Sequence, residues 1–411
     1  MQDVLEGTRV VDFTRHMSGP YGTLLLGDFG ADVVKIESMP HGDPTRTMGT
    51  AFIDGESGLF LIWNRSKRSM ALDLRRAEAK EIVRRLAERA DILAENFRPG
   101  VAEEMGIGYE QMSALNERLI YLSVSAFGQS GPYARAPGTD PVVQAMSGVM
   151  SVTGEAERDG VLVGIPIADY SSAMVAVQGA LLGLLARHRT GKGQRVDVPM
   201  LAALAFGLTT RLATYWGTGR EPRREGSAHS AVTPYQRYRA KDGDVVAGAW
   251  TLDSWPRFCA ALGKPDLIAD PRFATNLSRM ENRNALNQIL GELFAQRTVS
   301  EWEQIFHEAG ALFGPMLTIP QMLEHPQMQA LGMVQSVEHP KLGAIPQLAP
   351  PIMMSGTPGG IRRPPPLYGQ HTAEVLREIG YSSLEIEHYA IQGVVHVPEL
   401  AKEHAQVAQS R

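Results

Sequence analysis

At 411 residues the chain is too long for one simple core, which sets two domains as the prior. A net charge of -5, with acids and bases intermixed, leaves no polyanion-binding face and argues against nucleic acid as a partner. The single cysteine, Cys259, rules out an intrachain disulfide and fits a reducing compartment. The opening MQDVLEGTR has no signal-peptide pattern. The longest apolar stretch, 173–186, is cut by Gln178 and two glycines and ends in Arg187-His188-Arg189, so no bilayer span is expected. The expectation is a soluble cytoplasmic protein with no membrane partner.

In chain order, TRVVDF (8–13) predicts a buried strand. SGPYGTLLLGDFG (18–30) predicts a helix capped by Ser18 and stopped by Gly30. ADVVKIE and RSMALDL (68–74) read as the second and third strands. Between that strand and the next lies an amphipathic helix, apolar at Ala79, Ile82, Val83, Leu86 and Ala87. DILAEN and RLIYLSVS add two strands. This alternation implies an α/β fold with a mostly parallel sheet, which binds ligands at the carboxyl ends of its strands. From Thr139 to about Trp216 the reading is helical, with 169–188 apolar nearly all round and so expected to be buried. Residues 217–234, rich in Gly, Pro and Arg, read as a linker. A hairpin turning at Asp242-Gly243 opens a small α+β domain over 235–325. Short strands and two helices fill 326–411.

Several chemistries find no motif. There is no HExxH or CxxC, and the eleven histidines are scattered, so no metal is expected. There is no GxSxG elbow, and the first strand–helix turn lacks GxGxxG, which disfavours a nicotinamide enzyme. GKGQR (191–195) reads as a helix-terminating turn. Cys259, in RFCAALG, sits at helical spacing as a core thiol. One acid stands apart. In GIPIADYSSAM (164–174), Asp169 heads the long apolar helix. Aspartate there is a favoured N-cap. A carboxylate held by a helix dipole also stays ionised, as a nucleophile must. Both readings stand on the residues alone.

The pattern as a whole resembles the family III CoA-transferases, the group of the formyl-CoA and carnitine CoA-transferases. The resemblance runs through VVDFTRHMSGPYGTLLLGDFGADVVKIE, NRSKRSMALDL, ADILAENFRPG, YLSVSAFGQSGPY, PGTDPVVQAMSGVM, VGIPIADYSSAMVAVQGALLGLLARHRTGKGQRVDVPM and PPPLYGQHTAEVLREIGYS. It implies that Asp169 is the nucleophile. It implies a large Rossmann-like CoA-binding domain (1–216), a small domain, and a C-terminal segment returning to the large one. Two such rings would interlock in a homodimer. CoA contacts carry over to His16 and Met17, to Leu72, Asp73, Leu74 and Arg75, to Asn96, Phe97 and Arg98, and to the stretch from Tyr133 to Gly138 with Arg135.

The implied reaction moves CoA from an acyl-CoA thioester to a free carboxylic acid, through an aspartyl anhydride and an aspartyl-CoA thioester. CoA is then a substrate, and no permanently bound cofactor is expected. The chain departs from the family at Ser38, where some members have arginine, and at Glu103-Glu104, where some have a base. Arg46, Arg98 or Arg135 would then take the nucleotide 3′-phosphate. The rival is a 2-methylacyl-CoA racemase. Racemases of this fold use the histidine of a Gly-His-Asp triplet, which here reads Gly138-Thr139-Asp140, and a threonine cannot exchange a proton with an α-carbon. A non-catalytic acyl-CoA-binding protein is the third reading.

Overall fold

The computed structural model describes residues 3–251 and 253–401. The chain divides into two compact units. The first comprises Met1–Val149, Val163–Leu212 and Gln329–Arg411, and the second Met150–Leu162 and Ala213–Met328. Met150–Leu162, read from the sequence as part of the large domain, thus groups with the second unit.

The first unit is built on strands β1 (Arg9–Asp12), β2 (Asp32–Ser38), β3 (Lys67–Leu72), β4 (Ile92–Glu95), β5 (Ile120–Ser125), β6 (Gln194–Pro199) and β7 (Val395–His396). Their spatial order is β7-β3-β2-β1-β4-β5-β6. All pairings are parallel except β7 on β3. Side chains alternate across this sheet, as period-two geometry requires. Val11, Val34, Leu93 and Tyr121 face one core, with Ile82, Val83 and Leu86 of α2 (Ala77–Ala87). Val10, Val33, Ile92 and Leu122 face the other, with Leu26 of α1 (Pro20–Asp28) and Ala168, Ala176 and Ala180 of α4 (Ile167–Thr190).

The structure corrects four expectations here. The run 139–216 is not all helix, because β6 joins the sheet beside β5. Its polar sequence QRVDVP hides it: on this edge strand only Val198 is buried. α1 starts at Pro20 behind Gly19 and has no side-chain cap, so Ser18 is free for another task. α4 is not buried all round. Its small-residue stripe, Ala168, Ser172, Ala176 and Ala180, packs inward, while Leu181, Leu182 and Leu185 are exposed. Small residues let α4 lie close to the sheet. A Cβ on Gly183 would stand 2.9 Å from the Ile120 side chain. With 24 residues, α4 is also long and apolar enough to cross a membrane by length and composition, which the glycines and Gln178 were expected to prevent.

The second unit has its own core. Strands Tyr235–Arg239 and Asp244–Gly248 form the expected hairpin, and Leu312–Pro315 pairs with the latter. Trp255, Phe258, Phe294, Trp302 and Phe306 fill the core beside them. Cys259 is wholly buried there and burial pushes its thiol up to about 12, the inert state expected of a core cysteine. Gly191, at the end of α4, is a left-handed C-cap, as the GKGQR reading required.

Candidate active site

The sheet winds both ways from β1: β2 and β3 follow on one side, β4 to β6 on the other. The crevice above the carboxyl ends of β1 and β4 is therefore the topological switch point, where parallel sheets take ligands. The loop after β1 is held from several sides. Asp12 accepts from the Thr14 backbone N–H at 2.9 Å and from its hydroxyl. The Lys35 ammonium donates to the Thr14 carbonyl at 2.7 Å. Asn96, just after β4, accepts from the Arg15 N–H at 2.8 Å and donates to the Arg15 carbonyl at 2.7 Å. The same amide donates to the Ser18 hydroxyl at 3.2 Å. His16 is left exposed in a left-handed backbone conformation (φ 62°). Non-glycine residues adopt this conformation rarely, and those that do cluster at functional sites.

Above this loop lies a cavity of about 360 Å³. His16, Met17, Ser18, Asn96, Phe97 and Arg98 line one side, and Gly138, Thr139, Asp140 and Asp169 another. Thr45, Met48, Leu59 and Trp63 add an apolar wall that sequence reasoning left unassigned. The run GLFLIW (58–63) was the available signal for it.

Asp169 is the third residue of α4 and does not cap it, since the N-cap is Pro166 with no side-chain bond. The cap comes from 29 residues earlier. Asp140, at the start of α3 (Asp140–Met146), accepts from the Ala168 N–H at 2.7 Å and the Asp169 N–H at 3.3 Å. Gln144, one turn on, donates to the other Asp140 oxygen at 2.7 Å and accepts from Val163 N–H at 2.9 Å. The helix thus has its acidic cap without spending Asp169, whose carboxylate is left facing the cavity.

The ionisation of Asp169 differs from the expectation. Burial, then the Asp140 carboxylate, push it up to about 7, against a hydrogen bond from Ser18 that favours the charged form. The helix N-terminus does not outweigh desolvation and a like charge together. The consequence is a measurable pH dependence. Below about 7, kcat/KM should fall tenfold per pH unit as Asp169 protonates, and above it should level off. Asp140→Asn keeps an oxygen for the cap and removes the charge, so its acid limb should move to lower pH. A profile that stays in place in this variant would contradict the coupling.

The nominated CoA contacts separate into two groups. His16, Met17, Asn96, Phe97 and Arg98 all line the Asp169 cavity. Ala134, Ala136 and Gly138 line it too, whereas Arg135 is exposed and does not. Leu72 is wholly buried and its carbonyl accepts the Met39 N–H. Leu74 packs on the core, and Asp73 is held by its own neighbour Arg75 at 2.7 Å. Arg46 is also committed: it forks onto Glu37 with two bonds of 2.7 Å. Neither Gly128 nor Gly131 of the FGQSG turn lines the cavity. Among the described residues no His, Cys, Asp and Glu cluster could hold a metal ion.

A cavity-lining carboxylate beside a pinned loop stands at the switch point of a parallel sheet, the place where such sheets take ligands. Comparison with known proteins gives the family. The chain belongs to CoA-transferase family III, whose model matches residues 5–372, and it is a CoA-transferase. It is 36% identical over 396 residues to the succinyl-CoA:glutarate CoA-transferase of Mus musculus, covering 96% of this chain and 91% of that one. It is 36% identical over 360 residues to the acetyl-CoA:oxalate CoA-transferase of Acetobacter aceti, covering 87% and 91%. Among solved structures, a CAIB/BAIF family protein from Brucella suis superposes with a TM-score of 0.82 at 34% identity, covering 92% of this chain and all of that one. Protein Rv3272 of Mycobacterium tuberculosis gives 0.81 at 30% identity, covering 91% and 99%.

Proposed function

We propose that the enzyme moves CoA between small dicarboxylic acids, with Asp169 carrying both covalent intermediates. The observation that carries the second part is the Asp169 carboxylate that lines the cavity beside a helix already capped by Asp140. An Asp169 oxygen attacks the donor thioester carbonyl, the C–S bond breaks, and CoA leaves as thiolate, giving a mixed anhydride. The thiolate then attacks the Asp169 carbonyl and expels the donor as carboxylate, leaving an aspartyl-CoA thioester. The acceptor carboxylate reverses both steps and returns Asp169 free. A carboxylate cannot leave directly from a thioester exchange, so splitting the step in this way lowers each barrier.

Support for dicarboxylates comes from the relatives named above and from a Chloroflexus aurantiacus relative, 35% identical over 376 residues, named succinyl-CoA–D-citramalate CoA-transferase. His16 and Arg98 are the basic side chains of the Asp169 cavity and would receive the second carboxylate. Arg223 and Arg224 line a different cavity, wholly within the second unit. With succinyl-CoA as donor, C4 and C5 diacids should be accepted with kcat/KM roughly 10⁴-fold above monoacids of equal length, as expected when a charged site is left unpaired by the wrong substrate. Equal turnover of the monoacids, followed by mass spectrometry of the acyl-CoA products, would contradict this.

The racemase reading is disfavoured by Thr139, which lines the cavity where a second acid/base would be needed. The CoA nucleotide is assigned to the crevice above β1 and β4. The chain is further proposed to act as an interlocked homodimer. The exposed Leu181, Leu182 and Leu185 of α4, with Phe206 82% exposed, are the apolar surface such an interface would cover. A reversible monomer in sedimentation at high dilution would contradict it.

A further inference from the structure

Arg15 is a half-buried arginine at the switch point that makes no ion pair among the described residues, with Asp43 the acid whose charge it feels. Its guanidinium donates to the Ser38 hydroxyl at 2.5 Å and lies over the Phe97 ring, 5.1 Å from the centroid. Its backbone is clamped on both sides by Asn96. Among the described residues no carboxylate lies within ion-pair distance of it. The two buried acids nearby are already matched: Glu37 by Arg46 at 2.7 Å, and Asp43 by Lys35 at 2.7 Å. The structure therefore holds, over the carboxyl end of β2, a fixed cation whose guanidinium is not spent on an ion pair.

That location has a specific meaning in a doubly wound sheet. The end of the second strand is where the ribose of a bound nucleotide lies. An acid there takes a ribose hydroxyl, and an arginine nearby takes a ribose phosphate. β2 ends in Ser38, which is neutral and short, and Arg15 reaches across it from the neighbouring loop. The planar fork of arginine suits a phosphate, and the Phe97 ring and Ser38 hold that fork in place before the ligand arrives. We propose that Arg15 binds the 3′-phosphate of the CoA ribose and so sets the preference for CoA over its dephosphorylated form. The assignment replaces Arg46, whose guanidinium is spent on Glu37, and rests on the placement of the CoA nucleotide in this crevice.

Calorimetric titration with CoA and with 3′-dephospho-CoA tests it. The wild-type protein should bind CoA at least tenfold more tightly than 3′-dephospho-CoA. Arg15→Gln should lose about that factor for CoA, bind 3′-dephospho-CoA as the wild type does, and bring the ratio close to one. Arg15→Lys, which keeps the charge and loses the fork, should retain part of the preference and guards against a folding defect in the first variant. Arg15 is overturned as the phosphate ligand if Arg15→Gln keeps the wild-type ratio, if it weakens both nucleotides alike, or if the wild type binds both equally. A wild type that binds neither nucleotide would overturn the placement of CoA itself.

Discussion

Replacing Asp169 with alanine is expected to remove CoA transfer by at least about 10⁴-fold in kcat, the scale seen when a nucleophile is lost. The fold should survive. The N-terminus of α4 is capped by Asp140, and Asp169 contributes no backbone bond to it through its side chain. Its ionisation points the same way. The folded-state pKa of Asp169 is raised from 3.8 to about 7, so between those values the folded chain keeps a proton that the unfolded chain has released. This group therefore costs stability as pH rises through that window, and the cost is complete above about 7. Asp169→Ala should melt no lower than wild type at pH 8. Residual turnover above a few per cent of wild type would contradict the nucleophile assignment, and a lower melting point at pH 8 would contradict the account of the cap.

The largest effect on stability is expected at Lys67, beneath the site. Its ammonium donates to Asp12 at 3.0 Å, to the Pro20 carbonyl at 2.9 Å and to Asn64 at 3.0 Å, which uses every proton it has. Both ionic side chains are fully buried. Lys67→Met fills similar space but strands the Asp12 charge, with Lys35 the remaining cation beside it. Breaking a buried pair from one side costs about 3–5 kcal/mol. The loss should appear as a lower urea midpoint with an unchanged slope. Adding Asp12→Asn to Lys67→Met should recover part of it, because the stranded charge is gone. A single variant that loses less than ~1 kcal/mol would show that the pair is not holding the β1 loop.

How far the sequence carries depends on whether the signal is local. β1 to β5 are legible because each is a short buried run or a clean alternation bounded by turn residues. β6 is not, because an edge strand with one buried side chain carries no such pattern. The apolar wall at 45–63 was missed for a related reason: it is divided between a one-turn piece, a loop and the six-residue helix Gly58–Trp63, each too short to show a period. At the site, the position of Asp169 at a helix start was readable, but not its role there. The competing reading, an N-cap, failed only because Asp140 reaches that helix from a distant part of the chain. Ionisation was unreadable for the same reason, since burial and a neighbouring charge are set by packing. The cations repeat the lesson. Arg46 and Arg15 look equally available in sequence, and only their partners, Glu37 for one and Ser38 for the other, tell a structural pair from an open ligand.

Asp169 is expected to become acylated during turnover. Incubation with a competent acyl-CoA and no acceptor, followed by hydroxylamine or borohydride, should convert Asp169 to a hydroxamate or an alcohol. Either appears as a mass shift on the peptide containing GIPIADYSSAM. The shift should require acyl-CoA and be absent with free CoA, because only an anhydride or thioester makes that carbonyl electrophilic. A good substrate turned over while this peptide stays unmodified, with another acid labelled instead, would contradict the account.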